Sequence, residues 1–179
     1  MATSNPVFYD CEASDFEGYP IEIGWAFIDS ATGQLVCESH LIKPPENWRV
    51  KESWDRAAER LHGISLAYLQ SEGRPVREIA LRMNEALGGR DLFSDAREDE
   101  VWLQLLFDAA DLQPTFKVHR TDGRVLISQA AVTSGVDDTA YASAKAFAAE
   151  TAPRQHRAEA DARHLAVLWN IVTQKALLP

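Results

Sequence analysis

Apolar and polar positions alternate with a period of two over the first quarter of the chain. Residues 6–13, PVFYDCEA, place apolar groups on both faces, which predicts a strand in the middle of a covered sheet. Residues 20–29, PIEIGWAFID, predict a second strand, ended by the turn signal Ser30-Ala31-Thr32-Gly33. Residues 34–42, QLVCESHLI, predict a third, and Lys43-Pro44-Pro45 stops it. Two close strand–turn–strand steps predict an antiparallel meander.

The spacing then becomes helical. Segments 53–61, 65–71 and 75–87 carry it, and Gly88-Gly89 closes the last. Residues 90–94, RDLFS, predict a fourth strand, followed by a helix over about 96–110. Two strand-like pieces, FKVH and RVLIS, flank the turn Thr121-Asp122-Gly123 within 115–128. Helices over 136–150 and 157–177 finish the chain. Three antiparallel strands followed by alternating helices and strands describe a mixed α/β layer fold. A chain of 179 residues fits one domain, 1–179.

Composition narrows the partners. Hydrophobic residues make up 46% of the chain, enough for one core, and the formal net charge is −9. Binding to long duplexes draws on counterion release by basic residues, so an acidic chain argues against a tight sequence-reading DNA binder. It is compatible with a nuclease, because carboxylates that hold metal ions themselves add negative charge, and it favours short or single-stranded substrates. The two cysteines, Cys11 and Cys37, fall in predicted strands, which points to reduced, buried thiols in a cytoplasmic protein. The N-terminus shows no basic segment followed by an apolar run, and no apolar stretch approaches a bilayer-spanning length, so no membrane association is expected.

Against this background four acids stand out. Asp10 and Glu12 are two apart on a strand, so their side chains leave one face together with Phe8, while Val7, Tyr9, Cys11 and Ala13 line the other. Paired carboxylates at the end of a buried strand repel one another and lose hydration unless a cation compensates. The alternative is that the strand emerges into water, and the pair alone leaves both readings open. Asp161 borders the apolar stripe Ala158, Ala162, Leu165, Trp169, Val172 of the last helix, and Asp99 lies one turn before Trp102 and Leu103. A surface acid is the ordinary reading for either one. Four acids set against apolar surface fit an oxygen-ligand site for a hard cation such as Mg²⁺ or Mn²⁺. His156 follows Ala152-Pro153-Arg154-Gln155 on a loop leading to Asp161, where it could accept a proton from water or simply be a solvent-exposed helix start. His40, His119 and His164 read as structural or surface residues. Trp25, Trp48, Trp54 and Tyr68 could stack on bases, although aromatics in such positions more often belong to a core.

The stretch Phe8-Tyr9-Asp10-Cys11-Glu12-Ala13 resembles the first motif of the DnaQ-like exonuclease superfamily, an Asp-x-Glu at the end of the first strand. His156-Arg157-Ala158-Glu159-Ala160-Asp161-Ala162 resembles the third motif, His-x-Ala-x-x-Asp-Ala, of its DEDDh subtype, and Leu61-His62-Gly63-Ile64 resembles a segment between the first two motifs. Glu22, in Ile21-Glu22-Ile23-Gly24, also matches a family pattern, without a chemical role attached to it. The second motif departs. Where the family usually shows Asn-x-x-Phe-Asp, this chain has Asp95-Ala96-Arg97-Glu98-Asp99, followed by Glu100-Val101-Trp102-Leu103. Asp99 is the acid followed by the aromatic-Leu pair. Asp95 stands in place of the Asn, and with Glu98 it is suited to a capping box.

The resemblance implies a ribonuclease H-like fold and a 3′–5′ exonuclease acting on a DNA or RNA 3′ end and releasing nucleoside 5′-monophosphates. It implies two divalent ions, Mg²⁺ or Mn²⁺, with Asp10 bridging them, Glu12 and Asp161 completing one site, Asp99 serving the other, and His156 as the base. It further implies that His62, Ala13 and Ser14 help seat the terminal nucleotide. Small proteins it resembles often form dimers, so a homodimer is among the arrangements expected. A reading of another class is a catalytically silent domain of the same fold that binds nucleic acid or docks on a polymerase or repair partner.

Overall fold

The computed structural model describes residues 5–174. The three opening strands, β1 (Val7–Ala13), β2 (Pro20–Ile28) and β3 (Leu35–Lys43), form the expected antiparallel meander. Asp29 shapes the β2–β3 turn, because its carboxylate accepts the N–H groups of Ala31 and Thr32 while Gly33 takes the left-handed backbone, φ 70°. Helices α1 (Arg56–His62) and α2 (Leu66–Glu72) follow, capped by the Asp55 and Ser65 side chains. A two-residue strand, β4 (Arg74–Pro75), pairs in parallel with the end of β3; its length leaves no alternation to read in the sequence. Then come α3 (Val76–Leu87), β5 (Asp91–Phe93), α4 (Glu98–Ala110) and β6 (Lys117–Val118). The chain closes with α5 (Gly123–Thr133), α6 (Asp138–Thr151) and α7 (Ala158–Gln174). The predicted end of the last helix, 175–177, lies outside the described residues.

The sheet has six strands in the order β4-β3-β2-β1-β5-β6. Strands β1, β5 and β6 run parallel to one another, so the chain changes direction of growth at β1, which lies in the middle. Helices α3 and α4 cover one face, where Val7, Tyr9, Cys11, Trp25, Ile79 and Phe107 pack. Helices α5, α6 and α7 cover the other, around Phe8, Ala26, Ile127, Ala148 and Leu165. Both faces of β1 are therefore buried, as its apolar run predicts.

One element is corrected. RVLIS is not a strand but the first half of α5. Asp122, read in the sequence as part of a hairpin turn, is the helix N-cap, and its carboxylate accepts the Arg124 N–H at 2.7 Å. Ile127 and Ala131 are buried four apart, which is helical spacing; three consecutive apolar residues do not distinguish the two periods locally. Gly123 lies where an added Cβ would sit 3.2 Å from the Phe8 ring, so α5 starts directly against β1.

Candidate metal centre

The carboxylates converge at the C-terminal end of β1. Asp10 and Glu12 leave the face covered by α7, opposite Gly24 and Glu22 of β2. Asp161 comes down from the first turns of α7, inside its buried stripe. Asp99 comes from the start of α4, and Asp95 from the segment joining β5 to α4. Asp10, Asp95, Asp99 and Asp161 are all buried, and Glu12 is partly so. Two groups of three can each point one oxygen to a common place. Oxygens of Asp10, Glu12 and Asp161 lie within 4.8 Å of one another, and so do oxygens of Asp10, Asp95 and Asp99. Asp10 belongs to both groups.

Such crowding is unfavourable without cations, and the protonation of the acids records it. Burial, reinforced by the charges of Asp99, Glu12 and Asp161, holds the Asp10 carboxyl well above the usual carboxylate range. Burial and the Asp161 charge push Glu12 up to about 8. Burial likewise pushes Asp99 up to about 8, against the Cys11 N–H that stabilises its charged form. Asp99 Oδ1 accepts that N–H at 3.1 Å, while Oδ2 is buried with no partner among the described residues. A buried oxygen without a donor, among other carboxylates, is what a hard divalent ion satisfies. The residues present therefore fit two such ions, with Asp10 common to both.

Asp95 is corrected in role. It does not cap α4, whose first residue is preceded by Arg97 with no side-chain cap. Its carboxylate is instead buried in the pocket, 2.6 Å from Arg154 Nη1 and 3.3 Å from Arg124 Nε. The sequence pattern assigns neither arginine a role in the site. Asp161 Oδ1 accepts the Gln155 N–H at 3.0 Å and lies 3.7 Å from Arg154 Nε. The loop before α7 is thus tied to the acids by a backbone donor and a guanidinium.

His156 sits on this loop, exposed, with a left-handed backbone of φ 51° that a residue with a Cβ rarely adopts. Its ring makes no hydrogen bond or ion pair among the described residues. The loop tie at Gln155, immediately before it, keeps it next in chain to the acid pocket. His62 is buried at the end of α1; its Nδ1 accepts the Ile64 N–H at 3.0 Å, which leaves the proton on Nε2, also buried. Burial holds its pKa below the usual histidine value. Ala13 and Ser14 follow Glu12 directly and are buried, with the Ser14 hydroxyl accepting the Tyr19 N–H at 3.0 Å.

Glu22 acquires a structural role. Its buried carboxylate accepts two N–H groups of Arg157, at 2.9 and 2.6 Å, and the Ala158 N–H at 3.1 Å. It therefore fixes the start of α7 on β2. Among the remaining histidines, His40 pairs with Glu38, His119 stacks on Phe93 with its ring bonded to Asp91, and His164 bonds the Ala152 carbonyl. Trp25 and Trp48 are core residues, Trp54 donates to Glu59, and Tyr68 is exposed. Both cysteines are free, Cys11 buried and Cys37 half-buried.

Two clefts share residues with this arrangement, the first through Asp95 and the second through Arg124 and Arg154. One, of about 650 Å³, is lined by Asp95, Arg97, His119 and Arg120 among others. The second, of about 680 Å³, is lined by Arg124, Tyr141, Lys145, Arg154 and His164 among others. Among the described residues, no helix is long and apolar enough to cross a membrane.

A mixed sheet with this strand order, helices on both faces and acids at the end of the central strand defines the ribonuclease H-like α/β fold. Solved structures similar to it include exonucleases. The exonuclease I–single-stranded DNA complex of E. coli with zinc bound matches with a TM-score of 0.66 at 15% identity, over 98% of this chain and 42% of that one. Exonuclease X in complex with 5′-overhanging duplex DNA matches with a TM-score of 0.56 at 19% identity, over 96% of this chain and 92% of that one. This chain therefore spans about two-fifths of the length of exonuclease I and nearly all of exonuclease X. No protein-family model matches the sequence, and no curated protein does.

Proposed function

We propose that this protein is a divalent-cation-dependent 3′–5′ exonuclease that removes nucleoside 5′-monophosphates from the 3′ end of single-stranded or short nucleic acid. One observation carries the reading: two carboxylate triads share Asp10 at the end of the central strand. A pair of Mg²⁺ or Mn²⁺ ions bound there supplies activation of water and neutralisation of the departing 3′ oxygen.

The chain's own groups do the rest. Asp10 would hold both ions, Glu12 and Asp161 would complete one site, and Asp99 would serve the other. His156, exposed on the loop tied to Asp161, takes the proton from the attacking water. His62, buried at the end of α1, would help Ala13 and Ser14 seat the terminal nucleotide. The similar E. coli protein is described in complex with single-stranded DNA, which supports a strand end as substrate.

The test is hydrolysis of an oligonucleotide labelled at its 5′ end with Mg²⁺ or Mn²⁺ present, on matched DNA and RNA strands of several lengths. The expected result is a ladder of products shortened from the 3′ end, abolished by EDTA and by Asp10→Ala. Binding of the oligonucleotide without any metal-dependent cleavage would instead establish the silent nucleic-acid-binding domain.

A further inference from the structure

Asp95 places one carboxylate more in this pocket than the exonuclease motif it resembles, where an Asn usually stands. An added buried charge has to be compensated, and here two arginines do it. Arg154 Nη1 lies 2.6 Å from Asp95 Oδ2, and Arg124 adds Nε at 3.3 Å and an N–H donated to the Asp95 carbonyl at 2.9 Å. Asp99, by contrast, keeps a buried oxygen with no partner among the described residues. Asp95 and Asp99 of the second triad are thus unlike: the first already has a protein cation, the second does not.

From this we infer that Arg154, held by Asp95, is a substrate-binding residue that grips a non-bridging oxygen of the phosphodiester at the reaction centre. The inference rests on the proposed nuclease function. Arg154 touches an acid of each triad, since its Nε is also 3.7 Å from Asp161 Oδ1, so its guanidinium bridges the two triads. A guanidinium carries five N–H donors in a planar fork, and among the described residues the hydrogen bond Arg154 donates runs from Nη1 to Asp95. Its side chain is 36% exposed while that of Asp95 is 4% exposed, so a buried acid anchors an arginine that reaches solvent. That is the arrangement a bidentate phosphate contact uses. The neighbouring cleft points the same way, for Arg154 shares it with Arg124 and Lys145, three cations together on a chain of net charge −9. Asp95 is then a positioning residue.

The experiment compares wild type, Arg154→Gln, Arg154→Lys and the double variant Asp95→Asn/Arg154→Gln, which removes both charges and leaves no buried ion unpaired. Two titrations are read by calorimetry: Mn²⁺ alone, then thymidine 5′-monophosphate with Mn²⁺ present. Loss of a charge-assisted hydrogen bond corresponds to roughly 10- to 100-fold weaker nucleotide binding in Arg154→Gln, with Mn²⁺ bound at least as tightly as in wild type. Arg154→Lys recovers part of the loss, and the double variant folds but remains defective for nucleotide. Nucleotide binding equal to wild type in Arg154→Gln or in the double variant reduces Arg154 to a counter-ion and overturns the inference while leaving the nuclease reading intact. Wild type that binds neither Mn²⁺ nor nucleotide overturns both.

Discussion

The Glu22 carboxylate and the Arg157 guanidinium face each other across the β2–α7 junction with two N–H···O contacts of 2.9 and 2.6 Å. Glu22 pairs in register with Glu12, and Arg157 is the residue whose carbonyl accepts the Asp161 N–H at 3.0 Å. The pair therefore connects the strand that carries one acid triad member to the helix that carries another. Replacing Glu22 by Ala strands a guanidinium and the first N–H of α7. Because Arg157 is 41% exposed, water recovers part of the loss, and the expected destabilisation is about 1–3 kcal/mol. Urea denaturation measures it, and Mn²⁺ affinity should fall in the same variant as Asp161 loses its fixed position.

Gly24 makes the same junction close-fitting. An added Cβ there would sit 2.4 Å from the Glu159 nitrogen and 2.5 Å from the Ala158 carbonyl carbon, both backbone atoms that cannot rotate away. Gly24→Ala should push the start of α7 off the sheet at a cost of roughly 1–3 kcal/mol or more. A lowered Tm together with weakened Mn²⁺ binding is the expected outcome; an unchanged Mn²⁺ isotherm would show that α7 can shift without moving Asp161.

Ion stoichiometry should follow the sharing of Asp10. Wild type is expected to take up two Mn²⁺, Asp99→Asn and Asp161→Asn one each, and Asp10→Asn neither at comparable affinity. Electron paramagnetic resonance of free Mn²⁺ counts them without any substrate. Equal stoichiometry in all four proteins would dissolve the two-triad arrangement.

The raised carboxyls give stability a definite pH dependence. Glu12 and Asp99 sit near 8 in the folded protein against ordinary values of 4.5 and 3.8, so the folded state holds more protons than the unfolded state between those limits. Stability of the ion-free protein should therefore fall as pH rises from about 4 to about 8, the reverse of a salt-bridged carboxylate. Ions must displace those protons, so Mn²⁺ affinity should rise over the same window and level off above about 8. Thermal melts with EDTA and with Mn²⁺ at several pH values check both slopes, which should converge at low pH.

His156→Ala should lower the rate of cleavage by about 10²- to 10⁴-fold, the usual contribution of a general base, while Mn²⁺ still binds. Single-turnover cleavage beside a Mn²⁺ titration distinguishes this from a collapse of the loop, which would weaken both.

The order of strands and helices was legible because it is local. Period-two runs ended by Gly33 and Pro44, and a helix bearing Ala158, Ala162 and Leu165 on one side, encode their own geometry. The acids Asp10, Glu12, Asp99 and Asp161 were legible for the same reason, since each interrupts an apolar pattern that would otherwise exclude charge. Three consecutive apolar residues after Gly123 were not decisive, and only packing against Phe8 made them helical. Nor did the local pattern show that Asp95 faces the pocket rather than its own helix end, or that Arg124 and Arg154 come to meet it. Residues 59 apart in the chain compensate each other's charge through space, and Coulomb energy depends on that distance, which no local spacing contains. Local periodicity determines the elements and flags the misplaced charges; the tertiary fold alone decides which opposite charges they find.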